Sequence, residues 1–153
     1  MSDYPEMLHP EIETMPPKDM RALQDQRWEE QLSYMLGASD FYKRKYGDKF
    51  NENLTLDGLQ DLELTDKEEL RQSQELKPPF GDYVACIEDK VARIHRTSGT
   101  TGRALILANS TADANIIAEQ GARGVWASGL RPNDRVVHCL NYQMWTGGVT
   151  DHM

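Results

Sequence analysis

The chain has 153 residues, of which 25 are Asp or Glu and 17 are Lys or Arg, so its formal net charge is −8. A chain of this length can bury a core of its own, and 39% hydrophobic with 27% charged residues excludes an intrinsically disordered chain and a membrane protein. The negative charge argues against binding to nucleic acid or to an anionic membrane surface.

Charge and glycine are unevenly distributed along the chain. Residues 1–90 carry 21 acidic and 11 basic side chains, whereas residues 91–153 carry four acidic and six basic ones, all of them Arg. Seven of the eleven glycines also lie in the second part. Glycine lets the backbone approach a ligand closely and Arg binds phosphate and carboxylate groups, so we expect residues 91–153 to contain an anion-binding site.

The cysteines and the N-terminus indicate the compartment. Cys86 and Cys139 provide neither a disulfide framework nor a CxxC redox or metal pair. The N-terminal residues are acidic and lack the basic and apolar regions of a signal peptide, and no apolar run approaches the roughly 20 residues that span a bilayer. No HExxH motif or Cys/His cluster predicts a metal site. We therefore expect a cytoplasmic protein that binds no membrane and holds no metal of its own.

The first 90 residues are predicted to be mainly helical. Four prolines favour an extended lead-in over residues 1–16. Apolar residues at helical spacing then predict an amphipathic helix from about Lys18 to Gly37. The aromatic residues of segment 41–46 are expected to pack that segment against the helix.

Two shorter helices are predicted next. Closely spaced leucines predict a short helix within residues 54–64. The sequence Thr65-Asp-Lys-Glu68 matches a capping box, in which the Thr hydroxyl accepts from the third amide of the helix and the Glu carboxylate binds back. It predicts a helix that extends to about Gln72. Residues 77–81, with two prolines and a glycine, are expected to form a break.

A strand-like pattern replaces the helical one in the second part. Alternating side chains predict a strand over residues 91–96, and a polar loop leads from it to a second predicted strand, residues 104–108. A capping pattern at Ser110-Thr-Ala-Asp113 predicts a helix that extends to about Ser128, with Gly129 as the residue after its C-cap.

A third strand is predicted over residues 135–140. The order strand, loop, strand, helix, strand indicates an α/β fold. The chain is therefore expected to consist of a helical N-terminal segment, residues 1–90, packed on an incomplete β-sheet subdomain, residues 91–153.

The loop over residues 97–103 has the sequence Thr-Ser-Gly-Thr-Thr-Gly-Arg. Its two glycines permit positive φ, so that successive N–H groups can converge on an anion. Hydroxyl groups and the guanidinium of Arg103 add further donors. These are the chemical parts of a phosphate-binding loop, although the Walker A pattern is absent. From these residues alone, an ordinary solvent-exposed loop remains the alternative.

Several segments together resemble a known family. The motif Ser98-Gly-Thr-Thr-Gly102 resembles the phosphate-binding loop of adenylate-forming enzymes. Further segments resemble the phenylacetate–CoA ligase family, in the same order along the chain: Glu13-Thr-Met-Pro16, Phe41-Tyr-Lys43, Gly129-Leu-Arg-Pro-Asn-Asp134 and Tyr142-Gln-Met-Trp-Thr-Gly-Gly148. The resemblance extends over nearly the whole chain, and it implies the first part of the large N-terminal domain of an adenylate-forming enzyme.

The resemblance also implies an activity and its cofactors. Members of this family use ATP and Mg²⁺ to convert a carboxylic acid to an acyl-adenylate, and the thiol of coenzyme A then displaces AMP to give a thioester. By resemblance, the nucleotide phosphates would contact Thr97, Ser98, Gly99, Thr100, Thr101, Gly102 and Arg103. The acyl group would lie against Leu140, Tyr142, Trp145, Gly147 and Gly148. Without the resemblance, the large side chains of this second set would be assigned to core packing.

The two histidines of the predicted strands are weaker candidates. For His95 and His138, packing or a hydrogen bond within a strand is a more ordinary role than proton transfer.

The resemblance is incomplete, and this decides what we expect of the chain alone. The family's segments for adenine, magnesium and ribose, and its catalytic lysine, have no counterpart in these 153 residues. We therefore expect an N-terminal portion that is inactive by itself, with a second copy or a complementing C-terminal chain as its partner. Two other hypotheses stay open: a stand-alone nucleotide- or phosphate-binding module, and a non-catalytic interaction fragment.

Overall fold

The computed structural model describes residues 4–99 and 103–140, together with Tyr142, Met144 and Gly147. These residues form α-helices and two β-strands: α1 (Pro10–Glu13), α2 (Pro17–Ala38), α3 (Asp40–Tyr46), α4 (Lys67–Leu76), β1 (Val91–Arg96), β2 (Ile106–Ser110) and α5 (Thr111–Ala127). Short 3₁₀ helices lie at Gly47–Lys49, Asp57–Asp61 and Glu88–Lys90. The mixed content confirms the predicted fold class, whereas the division at residue 90 stays a prediction.

The long helix α2 confirms the prediction for residues 18–37, and it begins with Pro17 in its first turn, where no backbone N–H is needed. The predicted extended lead-in was wrong in one place, because Pro10–Glu13 forms a helical turn, α1. Pro10 starts this turn in the same way, and the hydroxyl of Thr14 donates to the carbonyl of Pro10 at 2.6 Å, which closes the turn.

Aromatic side chains of α3 pack against one another and against Tyr83, and the packing of this segment against α2 stays a prediction. Phe41 is only 4% exposed, and its ring packs edge-on against Tyr42 and Tyr83. Together with Trp28 and Met35 of α2, other aromatic residues of this region line a groove of about 380 Å³.

The helix α4 begins one residue later than predicted and ends at Leu76 rather than near residue 72. Its capping box is formed by Asp66 and Glu69: the carboxylate of Asp66 accepts from the N–H of Glu69, and the carboxylate of Glu69 accepts from the N–H of Asp66. The register is decided by Lys45, whose nearly buried ammonium binds the Glu69 carboxylate. Thr65 instead lies near the hydroxyl of Tyr46.

A polar network fixes α4 to the loop that follows it. Ser73, which is 2% exposed, donates to the carboxylate of Asp82 at 2.6 Å and accepts from the backbone N–H of the same residue at 2.9 Å. Arg44 of α3 binds both carboxylate oxygens of Asp82. The hydrogen bond from Arg44 lowers the pKa of Asp82 below its ordinary value, and that from Ser73 lowers it further.

Stability is expected to depend on pH through this carboxylate. Because the pKa of Asp82 is lower in the folded chain than in the unfolded one, its contribution is complete above about pH 5 and is lost as the pH falls through the lowered pKa. Asp82→Asn should therefore reduce the free energy of unfolding by about 1–3 kcal/mol at pH 7, and by less at pH 3.

Urea unfolding at several pH values measures this difference, with Asp61→Asn as a control because Asp61 is exposed. The prediction would be contradicted if Asp82→Asn lowered the free energy of unfolding by the same amount at pH 7 and at pH 3.

The two strands form an antiparallel hairpin in which Arg96 pairs with Ile106 and His95 with Leu107. The first predicted strand is confirmed over Val91–Arg96, whereas the second begins two residues later than predicted, at Ile106. One side of β1 is the more buried, since His95 is 3% exposed and its neighbour Ile94 is 44% exposed.

The helix α5 confirms its prediction at both ends. Ser110 and Asp113 form the capping box at its start. At its end Gly129 has φ of +94°, its N–H donates to the carbonyl of Trp126, and the N–H of Leu130 donates to that of Val125. This is a Schellman motif, in which a left-handed residue satisfies the last carbonyls of the helix.

The predicted third strand, residues 135–140, was wrong: this segment is irregular. A strand requires a neighbouring backbone for its hydrogen bonds, and the sheet formed by the described residues contains only β1 and β2. Val136 and Val137 are accordingly 61% and 87% exposed. Among the described residues, no helix combines the length and the apolar character that crossing a bilayer requires.

Candidate functional site

The candidate phosphate-binding loop begins where β1 ends. The N–H of Thr97 donates to the carbonyl of Leu105 at 3.0 Å, and the N–H of Leu105 donates to Oγ1 of Thr97 at 3.0 Å. This reciprocal pair closes the base of the loop, and Leu105 is only 3% exposed. The Thr97 oxygen therefore accepts from the backbone of the loop itself, and its hydroxyl hydrogen can still be donated to a ligand.

The loop presents an exposed polar rim. Ser98 and Arg103 are exposed, and Gly99 has φ of +67°, a conformation that other residues rarely adopt. The guanidinium of Arg103 forms no hydrogen bond or ion pair with any residue that the structure describes, so it is available to an anion. Three other predicted contacts lie outside the described residues: Thr100, Thr101 and Gly102.

The residues predicted to contact the acyl group lie beside the start of this loop. The N–H of Arg96, the last residue of β1, donates to the carbonyl of Met144 at 2.8 Å. Leu140 and Tyr142 are 50% and 44% exposed. A methyl group added to Gly147 would lie 3.9 Å from Cδ1 of Leu140, so these two residues are close. Trp145 and Gly148 lie outside the described residues.

The two histidines have the packing role that the sequence favoured. Their ring nitrogens form no hydrogen bonds with the described part of the chain. The ring of His138 lies 4.8 Å from that of Tyr142, at an angle of 60°. Both ring nitrogens of His138, and both of the buried His95, lack a hydrogen-bond partner there. His138 is not in a strand, and its ring forms a side of the predicted acyl region.

Two side chains of α4 that the sequence did not identify lie against the exit from the loop. Nε of Arg71 donates to the carbonyl of Arg103 at 3.1 Å, and the amide of Gln74 binds both the N–H and the carbonyl of Ile106. Each contact joins residues 32 positions apart, so no local pattern reveals it. The one signal in the sequence is that Arg71 and Gln74 are three positions apart, which puts both side chains on one face of a helix.

The described residues contain no group of three or more His, Cys, Asp or Glu side chains arranged to hold a metal ion.

Comparison with known proteins shows which proteins the chain resembles. No protein-family model matches the chain. It is 34% identical over 149 residues to a phenylacetate-coenzyme A ligase of Thermus thermophilus, an alignment that includes 95% of this chain and 32% of that protein. It is 31% identical over 147 residues to a phenylacetate-coenzyme A ligase of Escherichia coli. The chain thus spans about a third of the length of the curated relatives it matches.

Solved structures give the same picture. The chain is similar to 2-hydroxyisobutyryl-CoA ligase in complex with 2-HIB-AMP and CoA in the thioesterification state, with a TM-score of 0.86 and 30% identity. An open conformation of that ligase matches with a TM-score of 0.85 and 28% identity. The similarity includes 99% of this chain and 32% or 35% of the other chains.

Proposed function

This chain is homologous to the phenylacetate-coenzyme A ligases over about a third of their length, and on that premise we propose that it forms the N-terminal portion of an AMP-forming carboxylic acid–CoA ligase. One observation supports the proposal at the site. The hydrogen bond from Arg96 to Met144 brings the segment predicted to contact the acyl group to the start of the phosphate loop. A carboxylate held by one would therefore lie near a nucleotide held by the other.

The proposed reaction has two steps. A carboxylate oxygen attacks the α-phosphorus of ATP, the new oxygen–phosphorus bond forms, and the bond to the bridging oxygen of pyrophosphate breaks. The thiol sulfur of coenzyme A then attacks the acyl carbon and releases its proton to water, the bond from that carbon to the phosphate oxygen breaks, and AMP leaves. Because phosphoryl chemistry depends chiefly on positioning and charge neutralisation, the proposed contribution of this chain is binding. Arg103 and the loop backbone would hold the β- and γ-phosphates, and Leu140, Tyr142 and Gly147 would border the acid.

The acid, the cellular location and the metal ion are proposed as well. The acid is proposed to be an aryl or other organic acid, because the names of the relatives include phenylacetate and 2-hydroxyisobutyrate. A cytoplasmic location is proposed from the two free cysteines, Cys86 and Cys139. The proposed parent enzyme would use Mg²⁺ bound to ATP.

A partner chain is also proposed, from the apolar side chains that the fold leaves exposed. Val136 and Val137 are 61% and 87% exposed, and Ile94 on the outer side of β1 is 44% exposed. Exposed apolar side chains of this kind are typical of surfaces that another chain covers. The partner would be a complementing chain with the remaining part of the ligase or a second copy. A sedimentation profile of a monomer at every concentration would contradict the second copy.

Arg103→Ala is expected to weaken binding of ATP and of pyrophosphate by about tenfold to a hundredfold. A hydrogen bond to a charged group contributes about 1.5–3 kcal/mol, and the guanidinium is the one permanent cation of the loop. Isothermal titration of the chain with each ligand measures the effect, which should shrink at high salt.

The matched control is Arg27→Ala, which removes the same charge from an exposed position on α2. It should bind both ligands as the unaltered chain does. Equal affinities for the unaltered chain and Arg103→Ala would contradict the assignment of the loop.

A further inference from the structure

The exit from the loop, residues 103–106, has a backbone edge that the hairpin does not satisfy. Leu105 directs its carbonyl to Thr97 across the hairpin. Successive peptide groups of a strand point in opposite directions, so the N–H and carbonyl of Ile106 face away from β1. An edge of this kind must find other partners or water.

The side chain of Gln74 binds the backbone groups of this edge. Oε1 of its amide accepts from the N–H of Ile106 at 3.1 Å, and Nε2 donates to the carbonyl of the same residue at 2.5 Å. The side chain thus provides the donor and acceptor that a neighbouring strand would provide. The hydroxyl of Tyr83 also donates to the Ile106 carbonyl, at 2.8 Å. Burial raises the pKa of Tyr83 above its ordinary value, so this donor stays protonated.

Arg71 holds the residue at which the loop ends. Its Nε donates to the backbone carbonyl of Arg103, and its Nη1 donates to Glu68 on the preceding turn of α4 at 3.2 Å. The side chain is only 15% exposed, and Nη2 has no hydrogen-bond partner among the described residues. Its guanidinium is therefore inside the structure, against the loop backbone.

The helix that carries both side chains is itself fixed. Glu69 of the capping box binds Lys45 of α3, and Ser73 binds Asp82. Residues at positions i and i+3 lie on one face of a helix, so Arg71 and Gln74 reach the loop exit together. A segment fixed in this way loses less conformational entropy when it binds a ligand, which raises affinity.

We propose that Arg71 and Gln74 are positioning residues for the phosphate-binding loop: they hold residues 103–106 so that the Arg103 side chain is preorganised for an anion. This inference rests on the function proposed for the loop. Neither residue contacts the ligand, and both act through the backbone of the loop exit.

The experiment uses the full chain and two variants, Arg71→Met and Gln74→Met. Gln74→Met keeps the side-chain length, Arg71→Met keeps the apolar stem, and both remove the hydrogen bonds. Gln72→Met is the matched control, because Gln72 is an exposed residue of the same helix. The first measurement is hydrogen exchange of the Leu105 amide by NMR. Both variants should exchange this amide about tenfold faster than the unaltered chain, and the control should not.

The second measurement is the affinity for pyrophosphate. Both variants should bind about tenfold more weakly than the unaltered chain. In the background of Arg103→Ala, the effect of Gln74→Met should largely disappear, because Gln74 acts through the placement of Arg103. A general loss of structure would instead reduce affinity equally in both backgrounds. Circular dichroism identifies any variant that does not fold, and the other variant then decides the test.

The outcomes separate this inference from the function on which it rests. Exchange of the Leu105 amide at the rate of the unaltered chain in both variants would overturn the positioning role, even where pyrophosphate binds. Additive effects in the double variant would overturn it as well. Absence of pyrophosphate binding by the unaltered chain would instead overturn the phosphate-binding function, and with it the reason for preorganising the loop.

Discussion

The purified 153-residue chain is expected to give no carboxylate-dependent exchange of labelled pyrophosphate into ATP. Charge stabilisation in a phosphoryl-transfer transition state is effective when water is excluded from the site. The described residues of this site are open to water, since Ser98 and Arg103 are exposed, Leu140 is 50% exposed and Tyr142 is 44% exposed. Binding of ATP can therefore occur without the acceleration that a closed site provides.

The assay uses phenylacetate and 2-hydroxyisobutyrate as acids, with the Thermus thermophilus relative as a positive control. Exchange by the purified chain that requires an acid, and that Arg103→Ala abolishes, would contradict the expectation. It would show that these residues suffice for adenylation. Exchange that persists unchanged in Arg103→Ala would indicate a contaminating enzyme.

Gly81→Ala is expected to lower the free energy of unfolding by about 2–5 kcal/mol, as two costs combine. Gly81 has φ of +83°, where any residue with a Cβ is strained. The added Cβ would also lie 2.6 Å from Oγ of Ser73 and 2.8 Å from Cε1 of Tyr83. Ser73 would have to move, and its hydrogen bonds with Asp82 would weaken.

Two other glycines separate these costs. Gly129 has φ of +94° but no atom within 4 Å of an added Cβ, so Gly129→Ala should lose only the strain energy, about 1–2 kcal/mol. Gly37 lies in α2 with the same free space and no positive φ, so Gly37→Ala should stabilise the chain by about 0.5–1 kcal/mol. Urea unfolding measures all three, and equal losses for Gly81→Ala and Gly129→Ala would exclude the steric part.

The candidate site was partly visible in the sequence. The glycines and hydroxyl groups of residues 97–103 predict an anion-binding loop, and Gly99 does adopt the positive φ that this chemistry needs. The structure adds a second role for Thr97, because its side-chain oxygen accepts from the N–H of Leu105 and closes the loop. Whether residues 97–103 contact phosphate stays a prediction, as does the contact of the acyl group with Leu140 and Tyr142.

The sequence by itself determined the features that are formed by residues close together in the chain. The capping box of α5 and the glycine after its end each depend on residues within a few positions of one another, so their pattern is complete in the sequence. The resemblance to the phenylacetate–CoA ligase family was visible in the same way, because its motifs are short segments in a constant order.

Only the tertiary structure decided the contacts between distant residues. Lys45 selected the register of the α4 capping box, and no neighbouring strand was present among the described residues to pair with 135–140. Other hydrogen bonds form only after the chain folds back on itself: those of Arg71 and Gln74 with the loop exit, and that of Arg96 with Met144. A hydrogen bond across 32 positions depends on where the backbone lies, and the identities of the two residues do not specify that.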